Sequence, residues 1–230
     1  MYFRHSDDIW RDYPELVPGL LLADGISRNA AVEPSISRFN AIAEARLAMS
    51  SEGELPEIQA WRRAFSRMGL KPTQYRCASE QLLRRFKKER SLPRIHPLID
   101  LCNAISLAFA IPVAVFDLFK VTDHLEVRYA AGDETYAAFS GDVETPEIHE
   151  VIFADAAGRA HARRWTHRQS GHSAIRDETK AVLIVAEAMH ASADADIRKL
   201  TAAIAAELSA IWSVTAKVAM PNRSLPRLTF

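Results

Sequence analysis

The chain has 230 residues, of which 48% are hydrophobic and 25% are charged, so it can bury a full core as one large domain or two small ones. Its 29 lysines and arginines balance its 29 aspartates and glutamates, which excludes binding to nucleic acid or a membrane through overall charge. Cys77 and Cys102 show neither CxxC nor Cys/His ligand spacing, which argues against a zinc site and a disulfide framework.

The compartment follows from the same composition. The first ten residues carry charges where a signal peptide would be apolar, and no stretch is long and apolar enough to span a membrane. We therefore expect a cytoplasmic protein with no membrane contact, no metal and no cofactor.

An early strand and four helices are predicted in the first half of the chain. The apolar run at residues 16–26 indicates a buried strand that Gly25 closes. Apolar residues at helical spacing then predict helices at residues 35–49, 56–68, 78–88 and 97–111. Ser35 or Ser37 can cap the first of these helices, and Pro112 stops the last.

After residue 112 the apolar residues no longer recur at helical spacing and instead form short runs. Short runs predict strands at residues 113–116, 124–131, 150–154, 160–165 and 182–186, although a helix remains an alternative for the last of them. Residues 155–158 are typical of a turn, and a final helix should begin at Asp194 or Asp196 and reach about Ala216. Residues 218–230 are expected to form a tail. Because no linker or internal repeat is visible, we predict one α-plus-β domain over residues 1–230.

Residues 92–120 form the best candidate site. This otherwise apolar helix-to-strand passage contains five polar or ring residues, namely Arg94, His96, Asp100, Asn103 and Asp117. Asp100 and Asn103 are three residues apart, so they share one face of the predicted helix. Polar groups half-turned into a core need hydrogen-bond partners. A structural cap or a buried hydrogen-bond anchor is the alternative role for Asp100, Asn103 and Asp117.

Two basic clusters raise the question of nucleic-acid binding. The first could bind a phosphate backbone and comprises Arg84, Arg85, Lys87, Lys88, Arg90 and Arg94. Its first four members could equally be the ordinary solvated face of the predicted helix at 78–88. The second alternates cations with rings and comprises Arg163, Arg164, Trp165, His167, Arg168, Gln169 and His172. Trp165 could stack on an unpaired base, or it could be a core tryptophan flanked by surface charge.

Several enzyme classes lack their sequence signatures. Ser170, His172, Ser173 and Asp177 offer the atom types of a serine hydrolase but not the spacing of a nucleophile elbow. The eight histidines show no HxxxH pair, and the chain has no GxGxxG and no phosphate loop. We therefore expect neither a serine hydrolase nor a nucleotide-dependent enzyme.

Dispersed motifs carry a resemblance to a known family. They are Tyr75-Arg76 leading into SExLLRR at residues 79–85, LPxxHPLID at 92–100, then Asn103, Pro112 and Asp117, followed by RxWxxRQ at 163–169 and DxT at 177–179. Together they resemble the editing domain of the phenylalanyl-tRNA synthetase beta subunit, built from its third and fourth modules (B3/B4). The stand-alone proteins that consist of that domain are more similar still. The resemblance covers about residues 16–208.

This resemblance implies helices packed on a β-sandwich of unusual topology. It also implies hydrolysis, in trans, of the ester bond of mis-acylated tRNA, without any aminoacylating activity. The expected partner is the 3′ end of an aminoacyl-tRNA, with a synthetase or another translation protein as a further partner and no DNA. The alternative is a non-catalytic module that binds tRNA or an amino acid in a pocket that has lost its chemistry.

The resemblance also assigns site residues. Asn103 falls on the family's pocket asparagine and Cys102 on a position that is often threonine, while Ala114 replaces a histidine and Ala174 a glutamate. We expect Asn103 and Asp100 to bind the amino group or a water, and His96 or Asp117 to assist proton transfer. The tRNA 3′ end would be received by Arg94, Trp165, Arg168 and Gln169.

Overall fold

Six α-helices and twelve strands make up residues 1–229, the part of the chain that this computed structural model describes. The helices are α1 (Asp7–Asp12), α2 (Glu33–Met49), α3 (Pro56–Arg67), α4 (Ala78–Glu89), α5 (Pro97–Phe109) and α6 (Ala193–Trp212). The strands are β1 (Tyr2–His5), β2 (Val17–Asp24), β3 (Val113–Asp117), β4 (His124–Tyr129), β5 (Tyr136–Ala137), β6 (Val143–Glu144), β7 (Val151–Asp155), β8 (Ala160–Arg163), β9 (Arg168–Gln169), β10 (Ala181–Ala188), β11 (Lys217–Ala219) and β12 (Arg227–Thr229). Within these residues, no helix combines the length and the apolar character that a membrane crossing requires.

The strands form two main sheets that pack face to face. One has six strands in the order β12-β1-β4-β7-β8-β9, and the other has four in the order β11-β2-β10-β3. Most neighbours are antiparallel, but β1 runs parallel to β4. Phe116 of the smaller sheet and Phe153 of the larger one meet with ring centroids 5.3 Å apart. The predicted mixed fold, with helices packed on a β-sandwich, is therefore confirmed.

Side-chain alternation along the smaller sheet divides the interior into two cores. Leu183 and Val185 of β10 point towards the larger sheet, together with the apolar faces of α3 and α4. Val182 and Ile184 point to the opposite side, where α2, α5 and α6 cover the sheet. The smaller sheet is thus a central layer, buried on both faces, which explains why the sequence of β10 is continuously apolar rather than alternating.

Most predicted elements are present, but their ends differ where distant residues decide them. Helix α2 begins at Glu33, with Val32 and not a serine at its N-cap. The predicted cap Ser35 lies one turn inside, because its hydroxyl donates to the carboxylate of Glu207 on α6 instead. The turn predicted at residues 155–158 forms as expected, with the Gly158 amide donating to the Asp155 carbonyl at 3.2 Å.

The predicted carboxyl-terminal tail is wrong at residues 218–219 and 227–229, which lie in strands β11 and β12. Strand β11 pairs with β2, and β12 pairs with β1 so that Phe3 lies opposite Leu228. Leu228 is buried in the core between the two sheets, so this segment packs against the rest of the domain. Phe230, the last residue of the predicted tail, lies outside the described residues.

Helix α6 and strand β2 approach each other closely at Gly19. A Cβ added there would lie 2.6 Å from methyl groups of both Ile197 and Thr201. Carbon atoms in contact are normally about 3.5–4.0 Å apart, so only glycine permits this approach without displacing the helix. The glycine therefore sets how deeply α6 is seated on the central sheet.

Replacing Gly19 with alanine should lower the free energy of unfolding by about 1–3 kcal/mol, because the added methyl overpacks the β2–α6 contact. Chemical denaturation of the variant measures the loss. Gly53→Ala is the matched control, since its added Cβ meets only the flexible end of Arg62, and its effect should be smaller. Equal stability of Gly19→Ala and the native chain would contradict the close approach.

Candidate functional site

A small, partly open cavity of about 60 Å³ lies between the two sheets, where the start of β3 pairs with the end of β10. Its floor is apolar, and Ala114 and Val185 stand opposite each other in the β3–β10 register. Polar groups come from β10, from the turn between β8 and β9, and from β9 itself. The full lining is Ala78, Pro112, Val113, Ala114, Phe153, Ala162, Trp165, Thr166, His167, Arg168, Gln169, Val185 and Glu187.

Glu187 is the one carboxylate among the described residues that line this cavity. It is two residues beyond Val185 on β10, so its side chain projects from the same, inter-sheet face. One carboxylate oxygen lies 2.7 Å from Nε2 of His5, and the other accepts the Nε1–H of Trp165 at 3.0 Å. Glu187 is only 2% exposed, and a carboxylate buried to this extent requires such partners.

His167, at the end of the β8–β9 turn, and the two residues of β9, Arg168 and Gln169, supply the remaining polar wall. His167 lies with Nδ1 2.8 Å from the Arg76 carbonyl oxygen, and burial lowers the pKa of its imidazole below the ordinary value. Arg168 is half-exposed and pairs with Glu144 at 3.2 Å. Gln169 donates its side-chain amide to the Val115 carbonyl at 2.6 Å, which ties this wall to the free edge of β3. A neutral imidazole and a cation therefore lie at the cavity together.

Helix α5 carries the other group of predicted site residues, and its ends follow from its sequence. Pro97 occupies the first turn, where a missing N–H costs no hydrogen bond. His96 is the N-cap, and its Nδ1 accepts the Leu98 amide at 3.2 Å. Ala110 ends the helix with a left-handed φ of 56°, two residues before Pro112, and the chain then turns into β3.

The predicted catalytic residues Asp100 and Asn103 lie in a separate groove between α5, α2 and the loop at residues 91–94. This groove also contains Asn40 and Arg94 but shares no residue with the cavity between the sheets. Burial raises the pKa of the Asp100 carboxyl, a shift that the hydrogen bond from the Ile95 amide opposes. Arg94 forms an exposed ion pair with Glu33 of α2.

Three other predicted site residues have structural contacts. Asp117 accepts the Phe119 amide at 3.0 Å and the Thr179 hydroxyl at 2.7 Å, so it caps the turn that follows β3. His96 is 3% exposed, and burial lowers its pKa. Cys102 faces the helix-covered core, where burial raises the pKa of its thiol to about 12.

The basic clusters are largely neutralised by acidic partners. Arg163 is buried and forms ion pairs with Glu144 and Glu150, the second at 2.8 Å. Trp165 is fully buried, so it is a core tryptophan and not a free stacking platform, which corrects the role predicted for it. On α4, Arg84 and Lys87 both contact Glu52, as expected for a solvated face.

The structure therefore brings only some of the predicted residues together. Ala114, Trp165, Arg168 and Gln169 line the cavity, while Arg94, Asp100 and Asn103 line the groove. The two places lie on opposite sides of the central sheet, because Ala114 packs against the inter-sheet core and α5 covers the other face. Asn103 is thus not at the centre of a pocket that includes Ala114, although its catalytic role stays a prediction.

Comparison with known proteins identifies the family. Residues 60–208, more than half of the chain, match the B3/4 domain. The chain belongs to the B3/4 domain family. The match includes α4, α5, β3 and β10, so every element that lines the cavity lies within it.

Similar proteins are much longer than this B3/4 domain. The phenylalanine–tRNA ligase beta subunit of Shewanella oneidensis is 25% identical over 160 residues, which are 69% of this chain and 19% of that protein. The corresponding subunit of Haemophilus influenzae is 32% identical over 91 residues, which are 39% of this chain and 11% of that protein. The chain thus spans about a fifth or less of the length of these relatives.

A solved structure shows the same fold. An N-terminal fragment of the phenylalanyl-tRNA synthetase beta-subunit from Pyrococcus horikoshii superposes with a TM-score of 0.50 over 93% of this B3/4 domain and 49% of that chain. At 10% sequence identity, this similarity concerns the fold alone.

Glu187, His5 and Trp61 belong to the cavity region but were not predicted from the sequence. A signal for Glu187 was present, because it is the single charged residue in the apolar run of β10. A lone carboxylate in a buried strand needs partners and therefore marks a site. His5 and Trp61 gave no comparable signal, since their contacts with Glu187 come from residues far away in sequence.

Asp155, His161 and Ser173 form a buried network that resembles a hydrolase triad in atom types. Nδ1 of His161 lies 2.8 Å from the Ser173 hydroxyl, and Nε2 lies 3.3 Å from Asp155. None of the three residues lines the cavity, and all are at most 3% exposed. We therefore assign the network a structural role at the β7–β8 turn.

Asp155 should make stability depend on pH in the acid range. Although burial opposes it, the hydrogen bonds from His161 and from the Arg159 and Thr122 amides hold the pKa of this carboxyl far below its ordinary value. A lowered folded-state pKa contributes stability that is complete above the unfolded pKa of about 3.9 and is lost as pH falls further. Arg159 and His172 lie close enough to modulate the effect.

Asp155→Asn should therefore cost about 3 kcal/mol of unfolding free energy at neutral pH, and the deficit should shrink below about pH 4. Denaturant unfolding from pH 3 to pH 8 measures both quantities. The control is Asp133→Asn at an exposed position, which should leave the profile unchanged. A deficit that grows on acidification would contradict this assignment.

Proposed function

We propose that this B3/4 domain hydrolyses the ester bond of mis-acylated tRNA in trans, within the cavity between its two sheets. The single observation that carries the proposal is the Glu187 carboxylate, held in place beside a small apolar floor. An aminoacyl ester is already activated, so a hydrolase for it needs mainly orientation, a positioned water and stabilisation of the developing oxyanion.

Glu187 has the chemistry of a general base. Its two oxygens each accept one hydrogen bond in the protein, and each oxygen retains a second lone pair that a water can use. In the proposed reaction Glu187 takes a proton from that water while the water oxygen attacks the ester carbon. The C–O bond to the tRNA then breaks, and the proton is delivered to the departing ribose oxygen.

Ala114 gives this site its particular form. The family resemblance assigns a histidine to that position, and the alanine leaves space directly opposite Val185 on β10. Glu187 lies two residues further along the same face, so a carboxylate from β10 is available where a ring from β3 is lacking. His5, which contacts Glu187 from β1, would position the carboxylate and not touch the substrate.

Access for the tRNA would be from the side of Arg168. This cation is half-exposed beside the cavity, and exchange of its partner Glu144 for a phosphate would hold the 3′ end. The similar proteins are tRNA ligase subunits, which is why an aminoacyl-tRNA is the substrate class we propose. Such an enzyme would act beside a synthetase, and we propose the cytoplasm as its location.

A non-catalytic binding module is the second candidate function. It is favoured by the same two hydrogen bonds, because a carboxylate held by His5 and Trp165 can serve stability alone. In that case the cavity would bind an amino acid or the end of a tRNA without cleaving it.

A deacylation assay with purified protein separates these functions. Against tRNAs charged with different amino acids, at least one ester should be cleaved faster than in buffer. Glu187→Gln keeps the shape of the side chain but removes the base, so it should lower the rate at least about 100-fold. Glu126→Gln is the matched control, since this carboxylate pairs with Arg4 outside the cavity, and it should retain the rate.

Each result of the deacylation assay supports a different site or function. Binding without cleavage of any ester would support the binding module. Full activity of Glu187→Gln together with loss of activity in Asn103→Ala would move the reaction to the groove beside α5. Thermal unfolding of each variant shows whether a loss of rate reflects the chemistry or the fold.

A further inference from the structure

A cluster of three potential metal ligands shares no residue with the cavity or the groove. Glu57 is in the first turn of α3, His190 follows β10, and Asp196 is in the first turn of α6. One ligand atom from each residue lies within 4.8 Å of the other two. Because Glu57 is far in sequence from His190 and Asp196, no spacing motif reveals the cluster.

Two atoms of this cluster lack the partners that their burial demands. Oε2 of Glu57 and Nδ1 of His190 are buried without a hydrogen bond, and the two residues are 8% and 7% exposed. Unsatisfied buried polar atoms are uncommon, and each calls for an explanation such as an ion. The other carboxylate oxygen of Glu57 accepts a hydrogen bond from Arg46 at 2.7 Å, so its second oxygen remains available.

The third ligand, Asp196, is already in contact with His190. Oδ2 of Asp196 lies 3.0 Å from Nε2 of His190 and accepts the Ser192 hydroxyl at 2.6 Å. The two oxygens of Asp196 can therefore turn towards the point where the ligand atoms of Glu57 and His190 converge. Either ring nitrogen of His190 can serve as the donor, and use of Nε2 would replace its present contact with Asp196.

We propose that Glu57, His190 and Asp196 bind a divalent transition-metal ion of the Zn²⁺ class. One imidazole and two carboxylates match the ligands that Zn²⁺ accepts, whereas Ca²⁺ takes six to eight oxygens. Bonds of about 2.0–2.2 Å to a tetrahedral ion place its ligand atoms roughly 3.4 Å apart. The present separations therefore need only a small closure of the side chains, and a fourth position stays open to water.

The charges around the cluster determine how tightly it should bind Zn²⁺. Arg46 lies on Glu57, and Lys199 lies 3.6 Å from Asp196, so two cations offset the two carboxylates. Lys199 is largely exposed and hence screened, but the amino termini of α3 and α6 also disfavour a cation. The coordinate bond to imidazole must supply the selectivity, and Zn²⁺ should thus bind much more tightly than Mg²⁺.

Calorimetric titration of chelator-treated protein with ZnCl₂ tests the site. We expect one Zn²⁺ per chain, a rise in thermal stability on binding, and no comparable effect of MgCl₂. Asp196→Asn and His190→Gln should weaken Zn²⁺ binding by at least about tenfold. The matched controls, Asp194→Asn in the same helical turn and His172→Gln outside the cluster, should bind Zn²⁺ as the native chain does.

Visible spectroscopy of the native chain with Co²⁺ provides a readout that does not depend on a variant folding. Tetrahedral coordination by nitrogen and oxygen should give intense absorption bands that Zn²⁺ abolishes in competition. Weak octahedral bands, or equal Zn²⁺ affinity in Asp196→Asn and the native chain, would overturn the proposal.

Discussion

The buried carboxylate of Glu187 is the contact on which the arrangement of the two sheets depends. His5 of β1 and Trp165 of the β8–β9 segment both bind its oxygens, and Trp61 of α3 donates to its backbone carbonyl at 3.2 Å. One residue of the central sheet thereby holds the first strand, the far end of the larger sheet and a helix. Leaving one member of such a buried charged cluster unpaired typically costs about 3–5 kcal/mol, so these elements are constrained together. The cavity exists where they meet, and its polar side is therefore built from the same contacts that hold the layers.

The sequence predicted the elements that local periodicity determines. Helices α3, α4 and α5 lie within a residue or two of their expected ends, because apolar spacing, proline and capping are local properties. Strand β1, helix α1 and strand β12 were not predicted, since β1 is held by partners from distant parts of the chain. The same reason explains the basic cluster at residues 163–168. Its cations were visible in the sequence, but the acidic residues that neutralise them, Glu144 and Glu150, come from another segment.

Only part of the candidate site was predicted, because contacts between distant strands are not visible in the local sequence. The passage from α5 to β3 is continuous in sequence, and its polar residues suggested one pocket. A strand has two faces, however, and a helix covers only one of them. Ala114 points to the face opposite α5, so residues about ten positions apart are separated by the sheet itself. The location of Ala114 beside Trp165, Arg168 and Gln169 could be inferred from the family resemblance, whereas the contribution of Glu187 required the register of β10 against β3.

The contact of Gly19 with Ile197 and Thr201 also limits how the sequence can change over time. A side chain at position 19 becomes acceptable only after Ile197 and Thr201 have both lost the methyl groups that now fill the space. The order of substitutions therefore matters: shortening these two residues first leaves a small void, which chains tolerate better than the overlap produced by the reverse order. Within B3/4 domains, residues at these positions should consequently vary as a group and not one at a time.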